Sequence, residues 1–201
     1  MRATDDEIRE KYLERAIREL NLLAHAVQDC ELCPRGGVMP VLGSGHPQAD
    51  IMLVKLAPVA AEVEEGVAFY GRAGTALQKA LKRLVIDPLT VYGTVLAKCP
   101  CGEADLADPA CVARFAEEFA IVQPKLLVVM GDDAAERIDE LSLPMARPIP
   151  TEHGVLAPLT PSCQVLVTPN IDQSLDDEAG KRAFWAAFRQ AGEWYAALPP
   201  Y

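Results

Sequence analysis

The sequence predicts an α/β fold, a three-layer α/β/α sandwich around a mainly parallel sheet of four strands. Four short apolar runs typical of buried strands lie between residues 51 and 167. Segments with helical spacing separate these runs, as the crossovers between parallel strands require. The chain has 201 residues and 50% hydrophobic content, enough for one domain over residues 1–201.

The elements are predicted in the following order. An amphipathic helix covers about residues 5–28, with charged residues on its outer side. The predicted strands are residues 51–54, 91–97, 126–130 and 165–167. Further helices are expected to begin near residues 73, 109, 132 and 177, the third of them capped by Asp132 or Asp133. Because ligands of open α/β sheets bind at the carboxyl ends of the strands, a functional crevice is expected there.

Charge and hydropathy exclude some partners. The formal net charge is −10 and the sequence pI is about 4.8. Because of long-range repulsion from phosphate backbones, DNA or a nucleobase is a possible partner that the net charge does not favour, and an unidentified protein partner stays open. The apolar runs fall short of the ~20 residues that a membrane span needs. The charged amino-terminal segment is unlike a signal peptide, so a cytoplasmic location is expected.

Four of the six cysteines form two distant pairs, one at residues 30 and 33 and one at residues 99 and 111. Reduced thiols in this spacing favour a metal over disulfides. An iron–sulfur cluster or a structural zinc uses four thiolates of this kind. The candidate ligands are Cys30, Cys33, Cys99 and Cys111.

The segment at residues 55–77 is KLAPVAAEVEEGVAFYGRAGTAL. It resembles the pattern G-E-A-P-G-x-x-E-D-x-x-G-x-P-F-V-G-R-A-G-x-x-L of the uracil-DNA glycosylase superfamily, in its [4Fe-4S]-containing families four and five. Cys30-x-x-Cys33, the segment VLGSGHP at residues 41–47, and Lys98-Cys99 are also similar to motifs of these families. The resemblance extends over about residues 20–195.

The resemblance implies a glycosylase-type fold with a [4Fe-4S] cluster, while zinc is the alternative metal. The segment between Cys99 and Cys111 is shorter than in these families, so Cys101 is an alternative fourth ligand. The implied role of the metal is structural, since it would tie the amino-terminal loop to the segment after the second strand.

The residues that these families use on uracil do not carry over. The resemblance places Leu56 at the polar position of G-E-A-P-G, Val95 at the base-reading asparagine and Thr168 at the histidine that stabilises the uracil oxyanion. The base-stacking aromatic is retained as Phe69. Because losing one such group commonly costs about 100–1,000-fold in rate, ordinary uracil excision is not expected.

Other polar residues are expected near the crevice: Lys55, His153, Asn170 and Asp172. Lys55 is interpreted either as a replacement cation or as a solvated lysine at a strand end. The acidic residues Glu62, Glu64 and Glu65 are interpreted as a solvated face or as the loss of a DNA-binding surface.

Three functions follow from these observations. The first is a catalytically degenerate binding or accessory protein linked to DNA metabolism. The second is an active but divergent glycosylase that draws on His153, Asn170 or Asp172. The third is binding of a nucleobase or nucleotide without DNA, which would suit the acidic composition.

Overall fold

The computed structural model describes residues 5–33, 37–100 and 109–199. Within these ranges the strands are β1 Ser44–Gly45, β2 Ile51–Lys55, β3 Val91–Val95, β4 Leu126–Met130, β5 Leu156–Pro158 and β6 Gln164–Thr168. The helices are α1 Asp5–Gln28, α2 Ala60–Glu65, α3 Arg72–Arg83, α4 Pro109–Val122, α5 Asp132–Glu140, α6 Ile171–Ser174 and α7 Glu178–Ala196. A 3-10 turn covers Pro88–Thr90.

The strands form one sheet in the order β1-β3-β2-β4-β6-β5. The four strands predicted from the apolar runs are the central ones, and they pair in parallel. The fold class is therefore confirmed. The sheet has six strands rather than four because β1 and β5 add antiparallel edges. These two strands are only two and three residues long and are not buried, so no apolar run marked them.

The core lies on both faces of the sheet, because every residue of β2, β3 and β4 is buried. On one face, Met52 and Val54 belong to a cluster that includes Phe115 of α4 and Ile138 of α5. On the other face, side chains of β2 pack in a cluster with Leu77 of α3 and Phe188 of α7. Two helical layers on one sheet make the predicted α/β/α sandwich.

The helix boundaries correct some details. The amino-terminal helix has the predicted bounds, and Asp177 caps α7 by accepting a hydrogen bond from the amide of Gly180 at 2.7 Å. The predicted cap of α5 is wrong, because Gly131, with φ 111°, takes that position. The short helices α2 and α6 were not predicted, since four to six residues carry little periodicity. No helix in the described ranges is long and apolar enough to cross a membrane.

Candidate functional site

The ends of β2, β4 and β6 meet at one edge of the sheet, where the sequence predicts a crevice. Lys55, the last residue of β2, lies there and is fully buried. Its ammonium nitrogen Nζ lies 2.6 Å from Oδ2 of Asp172 and 2.8 Å from Oε2 of Glu62. The interpretation of Lys55 as a solvated strand-end lysine is therefore wrong. A buried ammonium needs such partners, because desolvation of an unpaired charge costs several kcal/mol.

Glu62 is also fully buried, although it lies next to the exposed residues Glu64 and Glu65. Its Oε2 accepts a hydrogen bond from the amide of Val59 at 2.8 Å, and its Oε1 accepts one from the amide of Phe69 at 2.6 Å. The solvated-face interpretation fails for this residue. With Lys55, these bonds satisfy both carboxylate oxygens, and they fold the segment around α2 over the end of β2.

Asp172 reaches Lys55 from α6, and the start of this helix is held from two sides. The side chain of Asn170 caps α6 by accepting hydrogen bonds from the amides of Asp172 and Gln173. Arg72, the first residue of α3, donates to the carbonyl oxygen of Asp172 at 2.9 Å and to Oδ1 of Asp176 at 2.8 Å. Asn170 and Arg72 thus fix the position from which Asp172 pairs with Lys55.

The ring of Phe69 lies between this charged cluster and β3. The ammonium of Lys55 is 5.6 Å from the ring centroid, within the range of a cation–π contact. On β3, a Cβ at Gly93 would lie 2.7 Å from Cδ2 of the ring, so glycine is required for the ring to lie against the strand. Phe69 itself has φ 58°, an unusual conformation for a non-glycine residue. The aromatic candidate is therefore clamped in place by its neighbours.

The three positions that the resemblance assigns to uracil chemistry are buried in this structure. Leu56 belongs to the apolar cluster on the α4 side of the sheet, and Val95 packs with Val41 and Ala68. Thr168 is fully buried, and its hydroxyl donates to the carbonyl oxygen of Pro169 at 3.1 Å. None of the three presents a free donor to the crevice.

His153 lies at the same edge, nearer the end of β4. Its Nε2 is 2.7 Å from Oδ1 of Asp132, and the two side chains are 33% and 69% exposed. The amide of Gly154 donates to the carbonyl oxygen of Val167, which fastens the His153 loop to β6. His153 and Asp132 form a solvent-accessible polar pair, whereas Lys55, Asn170 and Asp172 are engaged in holding the structure together.

Three of the predicted metal ligands converge. The sulfur atoms of Cys33, Cys99 and Cys111 lie within 4.8 Å of one another, and all three residues are buried. The backbone amide of Lys98 donates to Sγ of Cys111 at 3.4 Å. Burial raises the pKa of the Cys111 thiol. These three cysteines could hold a metal ion, and an all-sulfur donor set suits zinc or an iron–sulfur cluster.

The other cysteines have different surroundings. Cys30 is partly exposed and is not one of the three converging thiols. Cys101, the alternative ligand, lies outside the described residues. Cys163 is buried in the apolar cluster on the α4 side, and burial raises its pKa to about 12. Cys163 is therefore an inert core thiol.

A second buried ion pair adjoins the cysteines. The ammonium of Lys98 contacts Glu118 of α4 and the hydroxyl of Thr94. Glu118 also accepts hydrogen bonds from the hydroxyls of Thr94 at 2.8 Å and Tyr92 at 3.1 Å. Desolvation and the Glu118 carboxylate raise the pKa of Tyr92, so its phenol stays protonated. This network joins α4, which carries Cys111, to the strand that leads to Cys99.

Sequence reasoning missed the two buried glutamates and Asp132. Glu118 sits in an amphipathic helix among other charges, and no local pattern distinguishes it. Glu62 offered a weak signal, because a glutamate three residues after a helix start often bonds back to the cap amide. The sequence predicts Asp132 or Asp133 as the cap of α5, but Asp132 pairs with His153 instead.

Comparison with known proteins places the chain in a family. A family model described as the Uracil DNA glycosylase superfamily matches residues 42–189. A Type-4 uracil-DNA glycosylase of Pyrobaculum aerophilum is 30% identical over 131 residues, covering 61% of this chain and 66% of the relative. Relatives of the same name from Sulfurisphaera tokodaii and Saccharolobus solfataricus are 30% and 28% identical, and the matches cover 57% and 55% of their lengths.

The aligned part thus spans less than two thirds of each of these relatives. The family model, in contrast, covers well over half of this chain, including the central strands, Lys55, Phe69 and the residues around Thr168. On this match the chain belongs to the uracil-DNA glycosylase superfamily.

Proposed function

We propose that this chain is a uracil-DNA glycosylase-like protein without ordinary uracil excision, which acts as a binding or accessory protein in DNA metabolism. The observation that carries the proposal is the burial of Lys55 between Glu62 and Asp172 against the ring of Phe69. The resemblance assigns the Lys55 position to a glycine, which would leave space beside the aromatic ring. Here a long side chain and its two counter-ions take up that space.

Electrostatics supports the same conclusion. Release of uracil develops negative charge on the base, which glycosylases must stabilise with hydrogen-bond donors or positive charge. The cluster of one lysine and two carboxylates carries a formal charge of −1, and Glu62 and Asp172 already hold the ammonium. The hydroxyl of Thr168, at the histidine position, already donates a hydrogen bond to a backbone carbonyl oxygen. Among the described residues, Lys55 and Thr168 are therefore already engaged and do not offer a departing anion a free donor.

A second function has one specific observation in its favour. The pair of His153 and Asp132 is solvent-accessible at the carboxyl edge, and a carboxylate can orient an imidazole for proton transfer. A divergent base-processing enzyme could use this pair instead of the lost family residues. Asn170 and Asp172 serve that alternative less well, because the first caps α6 and the second pairs with Lys55.

We also propose that the resident group is a [4Fe-4S] cluster held by Cys30, Cys33, Cys99 and Cys111, with zinc as the alternative. The three converging buried thiols and the amide hydrogen bond to Cys111 support it. A cluster here would supply a structural link between the loop after α1 and the start of α4. The cytoplasmic location and the unidentified protein partner stay predictions.

We expect Lys55→Met to lower the free energy of unfolding by about 3–5 kcal/mol, because it leaves two carboxylates without their buried counter-ion. Urea unfolding followed by circular dichroism measures the change. Lys181→Met is the matched control: its ion pair with Glu178 is exposed, so a loss below about 1 kcal/mol is expected. Adding Glu62→Gln to Lys55→Met should recover part of the loss. Equal stability of Lys55→Met and Lys181→Met would contradict a buried ion cluster.

We expect the protein to release no uracil above background from single- or double-stranded DNA containing one uracil, since each missing donor costs about 100–1,000-fold. Quantification of free base and of alkali-labile sites measures this. Phe69→Ala should leave the result unchanged. Robust turnover that Phe69→Ala abolishes would overturn the proposal. Turnover that His153→Ala abolishes and Phe69→Ala leaves unchanged would instead support the second function.

We expect Cys33→Ser, Cys99→Ser and Cys111→Ser each to lose most of the bound iron and the broad visible absorbance of the anaerobically purified protein. Cys30→Ser tests whether this partly exposed residue completes the set, and it should show the same loss. Cys163→Ser is the control and should keep full metal content. Metal analysis by mass spectrometry decides between the metals, because stoichiometric zinc without iron would contradict the cluster.

A further inference from the structure

The outer side of α1 carries a stripe of residues that the other described residues of the chain leave largely exposed. The buried residues of this helix, such as Ala16, Leu23 and Val27, pack towards the body of the protein. Beside them, six positions alternate in steps of four and three residues, the spacing of a coiled-coil seam. The stripe consists of Ile8, Tyr12, Arg15, Glu19, Leu22 and Ala26.

The large apolar members of this α1 stripe are exposed. Ile8 is 41%, Tyr12 59% and Leu22 63% exposed. Isolated exposed apolar residues are ordinary, but a row of them at seam spacing on one helix indicates a contact surface. The stripe extends over 18 residue steps, or about 27 Å of helix at ~1.5 Å per residue.

The α1 stripe is complementary to itself in the antiparallel direction. When two copies pair about the midpoint at position 17, Ile8 meets Ala26 and Tyr12 meets Leu22. The same register sets Arg15 against Glu19 of the other copy, twice by symmetry. Within one chain these two charges already form an exposed ion pair at 2.7 Å, so the exchange between copies leaves neither unpaired. A parallel pairing would instead set arginine against arginine and glutamate against glutamate.

A groove at the carboxyl-terminal end of the stripe fits this register. It measures about 470 Å³ and lies between α1 and α4. Its lining is mainly apolar and includes Leu22 and Ala26 of α1 and Ala120 and Ile121 of α4, with Glu19 and Glu117 as its charged members. In the antiparallel register, Ile8 of the second copy lies opposite Ala26 and can enter this groove. Small residues at positions 26 and 120 leave room for it.

We propose that this surface is the interface of a homodimer, in which α1 pairs with α1 of a second copy in antiparallel orientation about position 17. Such an interface is isologous, as closed two-fold dimers require. The outer ridge of α4 enlarges the contact beyond a single helix pair. The proposal concerns the face that carries α1 and does not depend on the proposed function at the crevice.

The test uses the full-length, metal-loaded protein in sedimentation velocity and light scattering from about 1 to 100 µM, the range in which small interfaces associate. The wild type should reach twice the 21.8 kDa mass of one chain. Arg15→Glu and Glu19→Arg should each raise the dimer dissociation constant about tenfold or more, because each places like charges opposite one another twice. An equimolar mixture of the two variants should restore dimers, now as heterodimers, which a misfolded variant could not do.

The control is Glu10→Arg, which makes the same charge change as Glu19→Arg on the opposite side of α1 and should leave the dimer intact. Circular dichroism and metal content verify that each variant is folded. A wild type that stays monomeric to 100 µM overturns the proposal, as does a dimer that survives in both charge variants. Failure of the mixture to form heterodimers overturns the antiparallel register.

Discussion

The buried ammonium of Lys55 is the constraint on which the carboxyl edge of this molecule depends. Burying an unpaired lysine would cost several kcal/mol, so two carboxylates must be held near it. One comes from Glu62 in α2 and the other from Asp172 in α6, which lie 110 residues apart in sequence. Pairing both with the end of β2 fastens α2 and α6 to this strand, at the edge of the sheet where ligands of this fold class bind.

The need to pair the Lys55 ammonium also constrains the backbone around Glu62. Glu62 can face Lys55 only if its remaining hydrogen-bonding capacity is filled, and the amides of Val59 and Phe69 fill it. The hydrogen bond from the amide of Phe69 to Glu62 fixes this residue in its unusual conformation, with φ 58°. Gly93 then has to lack a side chain, because the Phe69 ring occupies the space above β3. A single buried charge thus accounts for the conformations of a helix, a loop and a strand position.

The sequence predicts the parallel core of this fold well, because four continuous apolar runs can be buried only on a sheet covered on both faces. It predicts less of the crevice, because the deciding contacts join residues far apart. Lys55 ends a wholly apolar strand, which is a signal of burial, but nothing local identifies Asp172 as its partner. Glu62 shares its segment with two exposed glutamates, so the acidic composition predicts a solvated side chain. Its hydrogen bonds, which the composition does not reveal, keep it buried. The cysteine spacing was informative because thiols have few alternative uses.

The two buried lysines place different demands on the protein. Lys98 and Glu118 join α4 to the strand end beside the cysteines, and they support the part of the fold that the resemblance leaves intact. Lys55 instead holds α2 and α6 to the end of β2, at the edge where the resemblance places the residues that act on uracil. Removing Lys55 alone would leave the buried carboxylate of Glu62 and the partly buried carboxylate of Asp172 without their counter-ion, and removing either carboxylate would weaken the hold on the lysine. Changing the end of β2 therefore requires concerted changes at all three positions, whereas the cysteine region can stay as it is. This coupling makes the buried ion cluster hard to remove by one substitution, which is consistent with the proposal that this chain lacks ordinary uracil excision.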